Sequence, residues 1–109
     1  MRGIKLSPKM RKLDIVLVAV RYVEGRQTIE IAQGYERFGQ VWTDLKLYDR
    51  TVLADRLAGG ERVVTGRPSD LAGEFEVFAP VALQGKNGSG EIVAEGAGAG
   101  GDDLGLPLF

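Results

Sequence analysis

The chain has 109 residues, 44% of them hydrophobic, with 14 basic and 15 acidic side chains and neither cysteine nor histidine. That length allows one domain with one modest core, and the missing residue types exclude disulfides, thiolate nucleophiles, imidazole bases and the usual zinc sites. The formal net charge of −1 hides an asymmetry: residues 1–12 carry Arg2, Lys5, Lys9, Arg11 and Lys12 without an acid, whereas residues 85–109 set Lys86 against Glu91, Glu95, Asp102 and Asp103. Such a split suits a polyanionic partner at one end and a basic partner at the other.

In chain order, residues 1–12 have no periodicity and read as a basic flexible arm. "LDIVLVAVRYV" (13–23) is β-branched and apolar on both faces, the pattern of a central or barrel strand. "EGRQ" (24–27) is a turn. "TIEIAQGYER" (28–37) alternates again, and Gly34 inside it predicts a bulge or bend. After the turn "FGQ" (38–40), "VWTDLKLY" (41–48) reads as one half-buried strand. Val41, Thr43, Leu45 and Leu47 share one face; Trp42, Asp44, Lys46 and Tyr48 share the other.

The period then changes to that of a helix in "DRTVLADRLAGG" (49–60), with Asp49 placed to cap its start and Gly59 or Gly60 to end it. "RVVTG" (62–66) and "EFEVFAPVAL" (74–83) are the closing strands. Phe75, Val77, Ala79, Val81 and Leu83 point inward, and Pro80 marks an edge or a kink. Residues 85–101 turn Gly-rich and read as a linker, in which "EIVAE" (91–95) can add a brief strand. The last eight residues, 102–109, form an acidic-hydrophobic tip.

Five strands with a helix between the third and fourth is the order of an OB-like barrel. The expected organisation is a mainly β domain over 13–84 with flexible termini. The longest apolar run, Ile15–Val20, is too short to span a bilayer, and no secretory leader is apparent. The reading is of a cytoplasmic protein with no membrane partner.

No nucleophile–base pair, phosphate loop or carboxylate metal cluster emerges, so the expectation is a non-enzyme without cofactor or metal. The informative stretch is "GYERFGQVWTDLKLY" (34–48), where Tyr35, Phe38, Trp42 and Tyr48 are interleaved with Arg37 and Lys46, with Arg50 just beyond. On an OB-like barrel this is the usual oligonucleotide surface. Rings there stack on bases for about 1–3 kcal/mol each, and cations follow phosphates. Self-association through the same aromatics, as a homo-oligomer, would produce the same pattern.

The segment "WTDLKLYDRTVLADRLAGGERVVTGRP" (42–68) resembles the central part of bacterial single-stranded DNA-binding proteins. Trp42 and Tyr48 stand for that family's paired aromatics, Leu53-Ala54-Asp55 for its helix, and Val63, Val64, Gly66 and Arg67 for its strand end. That family also ends in a Gly-rich linker, acids and a hydrophobic tip that recruits replication and repair proteins. The end "DLGLPLF" (103–109) is also similar to peptides that dock in the bacterial sliding clamp. The resemblance implies a protein that binds single-stranded DNA or RNA and recruits a replication or repair partner through Asp102, Asp103, Leu104, Leu106, Pro107, Leu108 and Phe109. The alternative is a non-enzymatic adaptor or regulatory oligomeric barrel that binds no nucleic acid. Another alternative for the tip is that it folds back on its own barrel.

Overall fold

A computed structural model describes residues 12–25, 27–71, 74–84, 90–96 and 101–109. The expected arm up to residue 11 and much of the expected linker, at 85–89 and 97–100, lie outside the described residues. Among these residues seven strands and one helix follow in the order β1 (Ile15–Tyr22), β2 (Ile29–Phe38), β3 (Val41–Trp42), β4 (Lys46–Asp49), α1 (Arg50–Ala58), β5 (Val63–Pro68), β6 (Phe75–Gln84) and β7 (Glu91–Ala94). They form one open, curled half-barrel sheet ordered β3-β2-β1-β5-β6-β7, with β4 also pairing β2.

This corrects the five-strand expectation in three places. The strand foreseen over 41–48 is broken: Val41–Trp42 pairs with Arg37–Phe38, Lys46–Asp49 pairs with Ile31–Gly34, and 43–45 bends between them. The helix consequently follows the fourth strand. A seventh strand forms inside the expected linker, because Ile92, Val93 and Ala94 are buried against β6.

β1 is central, as its two apolar faces require. It pairs antiparallel with β2 and parallel with β5, through Ile15↔Val63, Val16↔Val64 and Leu17↔Thr65. The bulge expected near Gly34 lies across the ladder from it, between Leu17 and Ala19. A Cβ at Gly34 would sit 2.6 Å from the Val16 carbonyl oxygen, so only glycine lets the strands approach there. Pro80 is not at an edge, since β6 runs between β5 and β7. It stays in register opposite Val64, and the nearby register shift falls at Phe78, between Thr65↔Ala79 and Gly66↔Val77.

Helix α1 behaves as read. The Asp49 carboxylate accepts from the Val52 N–H at 2.8 Å, and Gly59 ends the helix. Only Leu53 is fully buried from it, with Ala54 and Leu57 packed alongside. The core is Ile15, Leu17, Val20, Ile29, Ala32, Tyr48, Leu53, Val63, Val81 and Ile92, completed by Leu104 and Leu106 from the far end of the chain.

Candidate binding surfaces

The C-terminal residues are a strap across the curl of the sheet. Asp103 bridges Val93 of β7 and Leu108 bridges Val20 of β1, both in parallel sense. β5 leaves the β1 edge after Leu17, and the strap takes over that edge: the Val20 N–H donates to the Pro107 carbonyl at 3.0 Å, and the Phe109 N–H to the Val20 carbonyl at 3.2 Å. The Leu104 N–H donates to the Tyr22 hydroxyl at 3.1 Å. The Arg21 guanidinium lies 5.2 Å from the centre of the Phe109 ring, within cation–π range.

Asp102 pins this strap. Its residue is only 2% exposed. The carboxylate accepts from the backbone N–H groups of Ile29 at 2.8 Å and Ile92 at 2.9 Å, and from Arg50 Nε at 2.7 Å and Nη2 at 3.1 Å. Gln27 holds the same residue's backbone in both directions, accepting from its N–H and donating to its carbonyl. Gly101 makes the approach feasible. It adopts φ 141°, and a Cβ there would sit 2.5 Å from the Gln27 side chain. Burial opposes the Asp102 charge, but the hydrogen bonds from Arg50, Ile29 and Ile92 outweigh it and hold the carboxyl below its usual range.

The expected partner-binding tip is therefore divided by the structure. Asp102, Leu104 and Leu106 are buried, Asp103 is in the β7 ladder, and Pro107, Leu108 and Phe109 remain exposed. Period-two spacing of Leu104, Leu106 and Leu108 was the sequence signal for a strand-like segment. A glycine run ahead of it reads as a tether, and the alternative, a tip folded back on its own sheet, is the arrangement that Leu104 and Leu106 adopt.

The residues expected to meet nucleic acid are likewise dispersed. Arg50 faces Asp102 and also donates to the Gly90 carbonyl at 2.6 Å. Arg37 donates to the carbonyls of Leu13 at 2.6 Å and Gly39 at 2.8 Å, and pairs with Asp14 at 3.4 Å. Tyr48 is in the core, its hydroxyl donating to Glu36 at 3.1 Å. Glu36 also takes Arg56 at 2.8 Å and Lys46 at 3.3 Å. The Arg56 hydrogen bond is the chief cause of a Glu36 carboxyl held below its usual range. Burial first, and the Glu36 charge second, push the Tyr48 hydroxyl far up.

Two features remain open at the β3–β4 side. The first is an apolar edge: Phe38, Val41, Leu45 and Leu47 are each 46–63% exposed. Trp42 and Tyr48 turn inward, so Val41 and Leu47, the residue before each, face out. No strand covers this edge among the described residues. The second is a groove of about 230 Å³ lined by Tyr35, Trp42, Pro68, Leu71, Glu74 and Phe75. Phe75 links the other two rings, at 4.8 Å from Trp42 and 5.3 Å from Tyr35. Phe75 was read only as an inward strand residue, and its place between the two aromatics follows from the β5–β6 pairing.

The molecule so described is a mainly β domain, an open curled sheet closed at one side by its own C-terminal strap. No protein-family model, curated protein or solved structure matches the chain. Among the described residues no helix is long and apolar enough to cross a membrane.

Proposed function

We propose that the protein is a non-enzymatic interaction module that pairs with a second copy of itself through the open β3–β4 edge. One observation carries this reading: Val41, Leu45 and Leu47 are exposed on β3, β4 and the bend between them, whose outer side no described strand pairs, with Phe38 of β2 exposed beside Val41. Edges with exposed apolar side chains are normally charged or covered, because they offer a ready ladder to another chain. The short β4 strand, Lys46–Asp49, has an outer side that no described strand pairs and that a second copy's β4 can meet about a two-fold axis. Each fully buried apolar side chain contributes about 1.5–3 kcal/mol, set against an association cost of about 4–15 kcal/mol. In a two-fold dimer each copy contributes its four side chains, which are already about half covered, and the balance is a reversible dimer.

Sedimentation equilibrium tests this directly. The chain, of 11.7 kDa, is expected to approach twice that mass as concentration rises, and the Leu47→Lys variant to stay monomeric. A wild-type chain that remains monomeric at every concentration sinks the proposal.

The second reading is a single-stranded nucleic-acid-binding protein that recruits a replication or repair partner by its tip. The rings of Tyr35, Trp42 and Phe75 favour it, since they offer a stacking surface. The exposed Leu108 and Phe109 are the part of the tip that a partner meets first. It requires quenching of Trp42 by oligo-dT that weakens steeply with salt.

A further inference from the structure

The groove beside Trp42 has two halves of different chemistry. Its apolar half is made by Tyr35, Trp42, Pro68 and Phe75. A second concavity adjoins it through Pro68 and Ser69 and is lined by Arg67, Asp70 and Glu76. With Glu74 on the shared rim, three carboxylates face one guanidinium, and that guanidinium, on Arg67, is already paired with Glu76. A phosphate backbone laid across this rim meets like charge.

Trp42 supplies a further clue. Its indole Nε1–H is buried and has no hydrogen-bond partner, the one such side-chain group among the described residues. A buried donor left unmade costs about 1–3 kcal/mol, and the ring that carries it forms one wall of the groove. Groups of this kind call for an explanation from function.

We infer that this groove binds a proline-rich peptide carrying arginine or lysine. The inference rests on reading the molecule as an interaction module, though not on the edge pairing. A polyproline segment has a low-entropy extended form whose carbonyls make no internal hydrogen bonds, and aromatic grooves accept its rings. Proline rings pack on Tyr35, Trp42 and Phe75, and the cationic side chain lies against Asp70, Glu74 and Glu76. A free arginine stem can also rest over an aromatic face.

Trp42 is the chain's single tryptophan, so its fluorescence reports on this groove alone. The full-length chain is titrated with a ten-residue proline-rich peptide bearing two arginines, with the same peptide bearing glutamates, and with oligo-dT. The arginine peptide is expected to shift the emission saturably. The glutamate peptide should bind about tenfold more weakly, as loss of two or three rim pairs implies. Glu74→Gln, at the rim and outside the core, should weaken the arginine peptide severalfold.

An unresponsive emission, equal binding of both peptides, or preferential salt-sensitive quenching by oligo-dT overturns the inference. If the peptide fails while self-association persists and is lost in Leu47→Lys, only the groove's ligand is wrong. If association is absent as well, the interaction-module reading falls with it.

Discussion

The strap and the β3–β4 edge are both short, leucine-containing and extended, yet they have opposite fates. In the strap, Leu104 and Leu106 fill the core and a buried carboxylate closes over backbone donors. At the edge, Leu45 and Leu47 face outward while Tyr48, between Leu47 and the helix cap, goes in. The difference lies in what each segment finds beside it. The strap meets two incomplete ladders, β1 beyond Leu17 and the outer side of β7, and an arginine that needs a counter-charge. The edge meets only β2, and its inner positions are claimed by the larger aromatic rings. Apolar spacing therefore marks a strand in both segments, while neighbours decide which side becomes interior.

The sharpest way to break this contrast is Asp102→Ala. It leaves Arg50 and the N–H groups of Ile29 and Ile92 without their acceptor, and a buried pair broken on one side costs about 3–5 kcal/mol. Chemical denaturation should show a loss of that order, whereas the same kind of substitution at the edge, Asp44→Ala, should change stability by no more than about 0.5 kcal/mol. Leu104→Ala is expected to cost about 2–5 kcal/mol. Leu47→Ala should be near neutral for a dilute monomer, measured by the same unfolding transition.

Acid provides a graded version of the test. The Asp102 and Glu36 carboxyls sit below their usual range in the folded chain, so the unfolded chain binds more protons as pH falls through their ordinary values. Their stabilisation is fully present above those values and is lost as pH drops through the lower, folded ones. The slope of unfolding free energy against pH below about 4 should flatten in Asp102→Asn. At the helix cap, Asp49→Ala should cost about 1 kcal/mol in the melting transition, less than the strap variants and more than the edge ones, and leave both regions otherwise as they are.

Much of the fold was legible because local signals and packing agree. The doubly apolar β1, the alternation of β6 and the Asp49 cap all follow from residue order alone. The break at Thr43–Leu45 was not legible. It depends on Thr43, whose N–H donates to the Glu36 carbonyl and whose hydroxyl accepts from the Glu36 N–H, a contact that period two does not encode. Of the expected nucleic-acid surface, Tyr35 and Trp42 do share a groove, but Arg37 and Arg50 turn to carbonyls and carboxylates far off in sequence. Long-range partners of this kind also conceal Asp102, which looks like one of two solvent-facing acids until Arg50 and Ile92 are brought to it.

Hydrogen exchange followed residue by residue at several protein concentrations tests both halves of the account together. The amides of Ile29, Ile92 and Leu104 should be protected at every concentration, and the amides of β4 that point away from β2 should gain protection only as concentration rises. Rapid exchange at Leu104 and Ile92, with edge protection independent of concentration, would contradict it.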